Sequence, residues 1–324
     1  MMAIISSCTA STLKDAAASL RSGNLVAFPT ETVYGLGADA TIKDAVANLY
    51  QVKGRPSDHP LIVHISSMEN LYKWARDIPE YAIKLARAFW PGPMTLILPR
   101  TNLAKDFITG NQDSVGLRVP SHPLASELLI EFEGQGGLGV AAPSANRFGK
   151  VSPTTANDVF EELSGYLSPA DLILDGGSCE VGVESTIINC TQDLPEILRP
   201  GAITATMIYN LIGLQVNQIA TGINKPTIKA PGLLQSHYAP KAKVFLSTKP
   251  NLGDGFIAVS EIPTPPGAIR LASPKDNNEY AQLLYQALRL ADTKQLPNVI
   301  VIPPTGDDLA VAICDRLAKC SYKS

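Results

Sequence analysis

Short apolar runs and stretches of helical period alternate along the first two thirds of the chain. Apolar runs bounded by turn residues predict buried strands, clearest in "LVAF" (25–28) and "LIVHI" (61–65). The same reading predicts helices over 11–22, 44–52, 68–76, 79–89, 123–132 and from Thr155, and strands at 95–99, 114–120, 139–143 and in "DLILDGG", "ESTIINC" and "PEILRPG". Because helices join some of the strands and tight turns join others, we expect an open mixed α/β sheet.

The periodic pattern stops at Gly213 and returns near Lys241. Long stretches without a pattern are usually linkers or functional lids, so residues 213–240 are predicted to be one of these. Beyond them, "KVFLS", "GFIAVS", "AIRLAS" and "NVIVIPP" read as strands, with helical patterns before and after the last. We therefore expect a large domain at 1–212, a linker or lid at 213–240 and a small α/β domain with a parallel sheet at 241–324.

Composition narrows the class of protein. The chain has 324 residues, a net charge of -3 and 18% charged residues, which is typical of a globular protein and unlike a strongly basic nucleic-acid coat. Its five cysteines include no C-x-x-C pair, which predicts free thiols in a reducing compartment. No secretory signal pattern and no apolar run of about 18 residues is present, so we expect a cytoplasmic protein.

Two glycine patterns imitate dinucleotide-binding fingerprints. Gly134, Gly136 and Gly139 follow a predicted helix and precede a strand, which is the wrong order for that fold. Gly35 and Gly37 stand six residues beyond the strand "LVAF", whereas the fingerprint begins at a strand end. Both sets are interpreted as turn glycines. No phosphate-loop motif, nucleophile elbow or metal-ligand spacing occurs, so the sequence indicates neither a covalent nucleophile nor a metal cage.

Cationic and polar residues recur at the ends of the predicted strands. Arg55 precedes a proline and is pushed toward an extended conformation, in which Lys53 and Arg55 face one side. Arg118 shares a strand face with Gly116, which leaves space for a ligand. The other candidates are His64 in a buried run, Ser144 and Asn146 after a strand, Ser152 before a helix N-terminus, and Arg199 at a strand end. Taken singly, each fits a structural role: a solvated turn, a hydrogen-bonded core histidine or a capped polar loop.

Open α/β sheets bind ligands at the ends of their strands. Because all of these candidate residues lie at strand ends or on strand faces, a functional interpretation is favoured when they are taken together. Five cations could form one cleft suited to a polyphosphate: Lys53, Arg55, Lys150, Arg118 and Arg199.

Seven motifs, taken in their order along the chain, resemble those of a known protein family. They are "FPTETVYGLGADA", "KGRPSDHPLIVHI", "FWPGPMTLIL", "VGLRVPSHPLA", "APSANRFGKVSPT", "VESTIINC" and "ILRPGAIT". Together they resemble the YrdC-domain family over residues 7–240, and "SHYAPKAKV" with the part that follows resembles its longer two-domain form, the threonylcarbamoyl-AMP synthases. The resemblance implies a twisted open mixed sheet (YrdC-like) with a small C-terminal Rossmann-like α/β domain. It also implies a nucleotidyltransferase reaction in which L-threonine, bicarbonate and ATP give threonylcarbamoyl-AMP and pyrophosphate, the first step of threonylcarbamoyladenosine modification of tRNA.

The resemblance also implies roles for individual residues. Those implied to contact ATP are Lys53, Arg55, His59, Ser114, Ser144, Asn146, Ser152, Arg199 and Tyr238. Those implied to hold threonine are Thr32, His64, Arg118, the backbone of Ala142, and Ser185. Lys53 and Arg55 would stabilise phosphate charge as the catalytic pair, together with a magnesium ion held through the ATP phosphates and not by a protein metal site.

Two other interpretations remain open at this point. An RNA-binding module could use the same cleft without chemistry, but aromatic residues make up only 6% and do not interleave with the basic ones. A carbamoyl-transfer accessory domain is disfavoured because zinc-finger and acylphosphatase-like segments are absent. The family interpretation predicts that the product passes to a separate tRNA threonylcarbamoyl transferase, with no membrane association and no strong direct binding of nucleic acid.

Overall fold

The computed structural model describes residues 4–7, 9–218, 228–234 and 237–321. The strands are β1 (Ile4–Ser7), β2 (Val26–Phe28), β3 (Gly35–Asp39), β4 (Ile62–His64), β5 (Met94–Pro99), β6 (Ser114–Arg118), β7 (Val140–Ala141), β8 (Leu172–Asp175), β9 (Thr186–Asn189), β10 (Glu196–Arg199), β11 (Asn217–Gln218), β12 (Lys243–Leu246), β13 (Gly255–Ile257), β14 (Ile269–Ala272) and β15 (Asn298–Val301). The helices are α1 (Ala10–Arg21), α2 (Lys43–Lys53), α3 (Leu71–Trp74), α4 (Glu80–Phe89), α5 (Asp106–Thr109), α6 (Pro123–Gly134), α7 (Ala156–Leu163), α8 (Ala205–Ile212), α9 (Asn277–Thr293) and α10 (Leu309–Ser321).

One large mixed sheet organises the first part of the chain. Its strand order is β1-β8-β2-β3-β7-β4-β6-β5-β9-β10-β11. β4 pairs with β6 in parallel and with β7 antiparallel, so the prediction of an open mixed sheet is confirmed. The run "LIVHI" lies mid-sheet and is buried throughout, which is why it reads as continuously apolar.

A second sheet forms the C-terminal part. Its four strands are all parallel, as the sequence predicted, and their order is β12-β15-β13-β14. Tyr280 and Leu284 of α9 and Ile313 of α10 are buried in its core. That core also takes in Val33 and Val151 from the large sheet's side, so the two parts share packing.

Several local predictions were wrong. Gly35 and Gly37 are not turn residues but lie in β3, paired antiparallel with β2. Glycine is needed there because a Cβ on Gly37 would stand 2.8 Å from Val140 Cγ1 and 2.9 Å from Phe28 Cε1. The other set does form a turn, with Gly136 at φ +85° after the end of α6. The sequence reading also missed β1, β11, α5 and α8, and a 3₁₀ turn (Met68–Asn70) followed by α3 replaces the helix predicted at 68–76.

The backbone around the K-x-R motif also differs from expectation. Lys53 is the last residue of α2 rather than part of an extended segment, and Gly54 ends the helix in the left-handed conformation at φ 60°. A glycine C-cap of this kind is common, and it reverses the chain so that Arg55 leaves the helix end in a new direction. Both residues are nevertheless buried, at 2% and 8% exposure.

Candidate active site

A cleft opens over the middle of the large sheet. Strand residues, the loop after β7 and the segment before β12 together form its walls. Of the site residues predicted from the sequence, nine line it: Thr32, Arg55, His64, Arg118, Ala142, Ser144, Ser185, Arg199 and Tyr238. The structure therefore brings together residues that are up to 206 positions apart in the chain.

Two neighbouring strands place one polar pair at the cleft floor. His64 and Arg118 end β4 and β6, and they are direct partners in the parallel register. Paired residues point to the same face of a sheet, so both side chains reach the cleft. Burial, reinforced by the charge of Arg118, lowers the pKa of His64 to about 3, so its imidazole is neutral at physiological pH.

Arg118 is held in place by the loop after β2. Its Nη2 donates to Thr32 Oγ1 at 2.9 Å and pairs with Glu31 Oε1 at 2.8 Å. Its Nε has no hydrogen-bond partner among the described residues. A carboxylate entering the cleft would therefore find a fixed guanidinium with a free donor.

Arg199 links the sheet to the segment before β12. Its Nε donates to the Ser185 carbonyl at 3.0 Å, its Nη2 to Ser185 Oγ at 3.1 Å and its Nη1 to the Pro231 carbonyl at 3.3 Å. Burial lowers the pKa of Arg199. Pro231 and Gly232 line the cleft beside it, so part of the predicted linker forms a wall of the cleft.

Arg55 is a buried cation that has no carboxylate partner in the part of the chain that the structure describes. Its Nη2 donates to the Pro60 carbonyl at 2.9 Å, and its guanidinium lies 5.8 Å from the centre of the Phe148 ring. Its Nε is unpartnered among the described residues, and burial lowers its pKa to about 10. A buried charge that lacks a counter-ion is costly, and such groups are found where a charged ligand binds.

Lys53 lies behind the cleft and does not line it. Its Nζ donates to the carbonyls of Ser144 and Asn146, the latter at 2.6 Å. Asn146 is buried as well, and its Nδ2 donates to the carbonyls of Arg147 and Lys150. The two residues therefore hold the loop that carries Ser144 into the cleft.

Unpartnered polar atoms concentrate around this cleft. Among the described residues, buried donors or acceptors without a hydrogen bond occur on cleft-lining Arg55, His64, Arg118, His237 and Tyr238. Buried polar groups are normally satisfied, so such a cluster indicates a site built for a polar ligand.

Comparisons with known proteins agree with this geometry. The family described as "Telomere recombination" matches residues 18–201, and the family described as "Threonylcarbamoyl-AMP synthase, C-terminal domain" matches residues 203–321. The threonylcarbamoyl-AMP synthase of Pyrococcus abyssi is 38% identical over 95% of this chain and 94% of its own, and that of Bacillus subtilis is 39% identical over 95% and 92%. The chain belongs to the threonylcarbamoyl-AMP synthase family.

A solved structure extends the likeness to three dimensions. The crystal structure of P. abyssi Sua5 complexed with L-threonine has a TM-score of 0.88 and 37% identity, and the match covers 98% of this chain and 97% of that one. Membership in the threonylcarbamoyl-AMP synthase family makes this chain an enzyme and confirms the predicted two-part α/β architecture. It disfavours the RNA-binding alternative. Among the described helices, none is both long and apolar enough to cross a membrane.

Some of the implied residues lie outside the cleft. His59 is half-buried against the Phe148 ring, with centroids 5.4 Å apart. Ser114 lines a small neighbouring depression, together with Gly116, the residue predicted to leave space for a ligand. Ser152 is fully buried and donates to Glu184 Oε1 at 2.6 Å. Lys150 is exposed and does not line the cleft.

The helix that follows Ser152 is capped by its own residues. Thr155 Oγ1 accepts from the Asp158 amide, and Asp158 Oδ2 accepts from the Thr155 amide, which forms a complete capping box. The Asp158 carboxylate therefore occupies the N-terminus that a phosphate would otherwise find favourable. The helix N-terminus beside this loop is therefore capped, as the structural interpretation of the loop predicts.

Sequence reasoning missed two ionisable residues that line the cleft, Glu184 and His237. Glu184 stands within "VESTIINC", where the strand pattern gave it no distinction, and its partners are more than 30 positions away. Sequence reasoning also missed that aromatic rings contact the cations in space. His59, Phe148, His237, Tyr238 and Tyr285 form a continuous row of ring contacts, with Arg55 over Phe148. Tyr238 and Tyr285 are buried, so these rings are no exposed platform for an RNA strand.

Proposed function

We propose that this chain condenses L-threonine, bicarbonate and ATP into threonylcarbamoyl-AMP and pyrophosphate, the first step of threonylcarbamoyladenosine modification of tRNA. The observation that carries the proposal is the distribution of charge in one cleft. Arg118 and neutral His64 stand on its floor, and Arg55 and Arg199 line it. Among the described residues, the one carboxylate that lines the cleft, Glu184, is held by Ser152 and Arg316. An amino acid and a polyphosphate could therefore bind side by side.

Threonine would occupy the end marked by Arg118. The free Nε of Arg118 would receive the carboxylate, and Thr32 and Ser185 would offer hydroxyl groups to the amino acid. The Ala142 amide already donates to the Ile62 carbonyl, so its own carbonyl is the group expected to accept from threonine. His64, with a pKa of about 3, cannot hold a proton near neutral pH, and we assign it a hydrogen-bonding role rather than that of a general base.

ATP would occupy the end marked by Arg55, Arg199 and Tyr238. A carbamate oxygen formed from threonine and bicarbonate attacks the α-phosphorus, and the bond to pyrophosphate breaks. Such a transfer needs no protein nucleophile, only positioning and stabilisation of phosphate charge. Arg55 and Arg199 supply that charge, Ser144 contacts the nucleotide, and Lys53 with Asn146 positions the Ser144 loop.

His59, Ser114 and Ser152 are assigned a more peripheral part in the nucleotide half. Ser114 would act through the small depression next to the cleft, which shares Ile62 and Pro231 with it. Ser152 would act through Glu184, and His59 would act through Phe148.

Magnesium fits this site only as a companion of the nucleotide. Glu184 is engaged by Ser152, Tyr285 and Arg316, and Glu31 by Arg118 and the Ser121 amide. The carboxylates nearest the cleft are thus occupied, and the ion would be held by ATP phosphate oxygens, where it would neutralise charge on the leaving pyrophosphate.

We place the reaction in the cytoplasm, where a separate tRNA threonylcarbamoyl transferase would consume the product. Residues 1–212 would form the catalytic domain, 213–240 a linker that covers the nucleotide as a lid, and 241–324 a small C-terminal domain. The described linker residues support the lid, because Pro231, Gly232, His237 and Tyr238 line the cleft.

The proposal is tested by measuring pyrophosphate release and threonylcarbamoyl-AMP formation with each substrate omitted in turn. We expect release to require threonine and bicarbonate together with ATP. ATP hydrolysis that ignores threonine, or tight tRNA binding without turnover, would contradict the proposed function.

A further inference from the structure

The C-terminal part of the chain reaches the cleft through one buried arginine. Arg316 of α10 is 0% exposed. Its Nε donates to Glu184 Oε2 at 2.7 Å and its Nη2 to the Pro200 carbonyl at 3.0 Å. Its guanidinium also lies 5.3 Å from the centre of the Tyr238 ring. Arg316 therefore contacts one acidic and one aromatic residue of the cleft wall at once.

Glu184 is an unexpected residue for an anion-binding cleft. It lines the cleft, is 5% exposed and comes directly before Ser185, to which Arg199 is bonded. A bare carboxylate at this position would repel the phosphates of a nucleotide, and low-dielectric surroundings strengthen such repulsion. Something must neutralise it if the cleft is to bind ATP.

Both carboxylate oxygens of Glu184 accept hydrogen bonds from other residues of the protein. Oε1 accepts from Ser152 Oγ at 2.6 Å, and Oε2 accepts from Tyr285 Oη at 3.0 Å as well as from Arg316. Burial alone would raise the pKa of Glu184, but the charges of Arg316 and Arg199 outweigh it and lower that pKa to about 2. The carboxylate is therefore ionised, paired and held in one orientation.

Helix α10 also forms hydrogen bonds with the backbone of the linker residues that line the cleft. The Lys319 carbonyl accepts from the His237 amide at 3.4 Å, and Cys320 Sγ donates to the Tyr238 carbonyl at 3.0 Å. These contacts are with the backbone, so they fix where the two rings lie rather than what they bind. Arg316 thus stands at the centre of a surface of α10 that faces the nucleotide half of the site.

We propose that Arg316 is a positioning residue for ATP, and that it acts through Glu184. By pairing with this carboxylate and holding it on Ser152 and Tyr285, it removes a negative charge from the field of the phosphates. The C-terminal domain would thus contribute to nucleotide binding as well as pack against the large sheet. The inference rests on the proposed function in that ATP is the anion bound.

The competing explanation is a brace that merely stabilises the domain interface. Arg289 of α9 offers a matched control, because it crosses the same interface outside the cleft. It donates to the Val151 carbonyl at 2.5 Å and pairs with Glu162 at 3.6 Å. Arg289→Met should lower stability and leave ATP affinity unchanged.

The experiment compares Arg316→Met, Arg289→Met, Glu184→Gln and the double variant Arg316→Met/Glu184→Gln in the full chain. Binding of a non-hydrolysable ATP analogue gives the Kd, and steady-state kinetics give KM for ATP and for threonine. We expect Arg316→Met to weaken analogue binding and to raise KM for ATP about tenfold or more, with KM for threonine within about twofold. The double variant should regain most of the lost affinity, because the repelling carboxylate has gone with its partner.

Two results would overturn the inference. One is an Arg316→Met protein that binds the analogue as well as Arg289→Met does; the other is a double variant as weak as the single one. Should Arg316→Met not fold, since breaking a buried pair is costly, Glu184→Gln decides. In the Glu184→Gln protein, Arg316 still pairs with Asp315. This protein should bind the analogue at least as well as the unmodified chain does, and a tenfold loss of affinity would refute the inference. Failure of the proposed function is seen separately, because the unmodified chain would then make no threonylcarbamoyl-AMP.

Discussion

Replacing Arg55 by methionine should stabilise the ligand-free protein while nearly abolishing its reaction. Burial lowers the pKa of this guanidinium from 12.5 to about 10. Since one pKa unit corresponds to about 1.4 kcal/mol, holding the charge in this position costs about 3 kcal/mol. Arg55→Met removes this cost but also removes the hydrogen bond to the Pro60 carbonyl, which contributes about 1 kcal/mol. The substitution should therefore raise the free energy of unfolding by about 2 kcal/mol.

The same substitution removes a cation expected to stabilise phosphate charge in a water-poor site. Losses of that kind typically cost about 3–4 kcal/mol in the transition state, which is roughly a hundredfold or more in rate. Arg55→Lys keeps the charge but not the planar fork, and it should also be impaired. Threonine binding measured without ATP should stay near normal in both variants, because Arg118 and His64 serve that half of the cleft.

Chemical denaturation measures the stability, and threonine-dependent pyrophosphate release measures the activity. Arg76→Met is a suitable control, because Arg76 is a surface arginine paired with Asp77 and should change neither quantity by much. The reasoning is refuted if Arg55→Met loses stability by about 1 kcal/mol or more, since Arg55 would then be a brace for the turn at Pro60. Full activity in the variant would instead make the K-x-R motif an ordinary turn.

Three further predictions follow from single contacts. Lys53→Met should lower both stability and turnover, because it leaves the Asn146 carbonyl without its donor, at a cost of about 1–3 kcal/mol, and leaves the Ser144 carbonyl with only the Asn146 amide; an active variant of normal stability would show that the loop does not need it. Gly232→Ala should raise KM for ATP, since its Cβ would stand 2.4 Å from Tyr238 Oη and 3.0 Å from Arg199 Cδ at a φ of +82°, and unchanged kinetics would count against a role for the linker in the cleft. Burial lowers the pKa values of His64 and His237 to about 3, so below pH 6.5 the unfolded chain takes up protons that the native chain excludes. The free energy of unfolding should therefore fall as pH drops from about 6.5 toward 3, by up to about 1.4 kcal/mol per pH unit for each histidine. His64→Gln should reduce that slope by about one proton, and an unchanged slope would mean that His64 is protonated in the fold.

Patterns that depend on neighbours in the chain were predictable from the sequence. The run "LIVHI" reads as a buried strand because both of its faces are covered, and "DLAVAICDRLAKC" reads as a helix because its apolar residues share one side. Strand β3 was missed for a specific reason. Its glycines are required by Phe28 and Val140 across the sheet, and the sequence alone cannot distinguish a glycine chosen for close packing from one chosen for a turn.

Candidate site residues were predictable where family motifs carried them, and nine of the fourteen line one cleft. What the sequence could not supply was the distinction between residues in the cleft and residues behind it. Lys53 and Ser152 belong to the same motifs as Arg55 and Ser144, yet their polar atoms are bonded to the protein itself. That difference arises from the left-handed Gly54 and from a carboxylate 32 positions away, neither of which the motif spacing encodes.

Glu184 shows most clearly why site chemistry cannot be assigned from one part of the chain. Its charge would oppose the proposed ligand, and it is tolerable only because Arg316 and Tyr285 arrive from helices more than 100 positions later. Breaking such a pair by removing one partner leaves an uncompensated buried charge, whereas removing both partners can be neutral. If the cleft does hold ATP, the C-terminal domain must therefore be docked before the nucleotide half acquires its full positive field. The two parts of the chain would then form one binding site rather than a catalytic domain with a separate attachment.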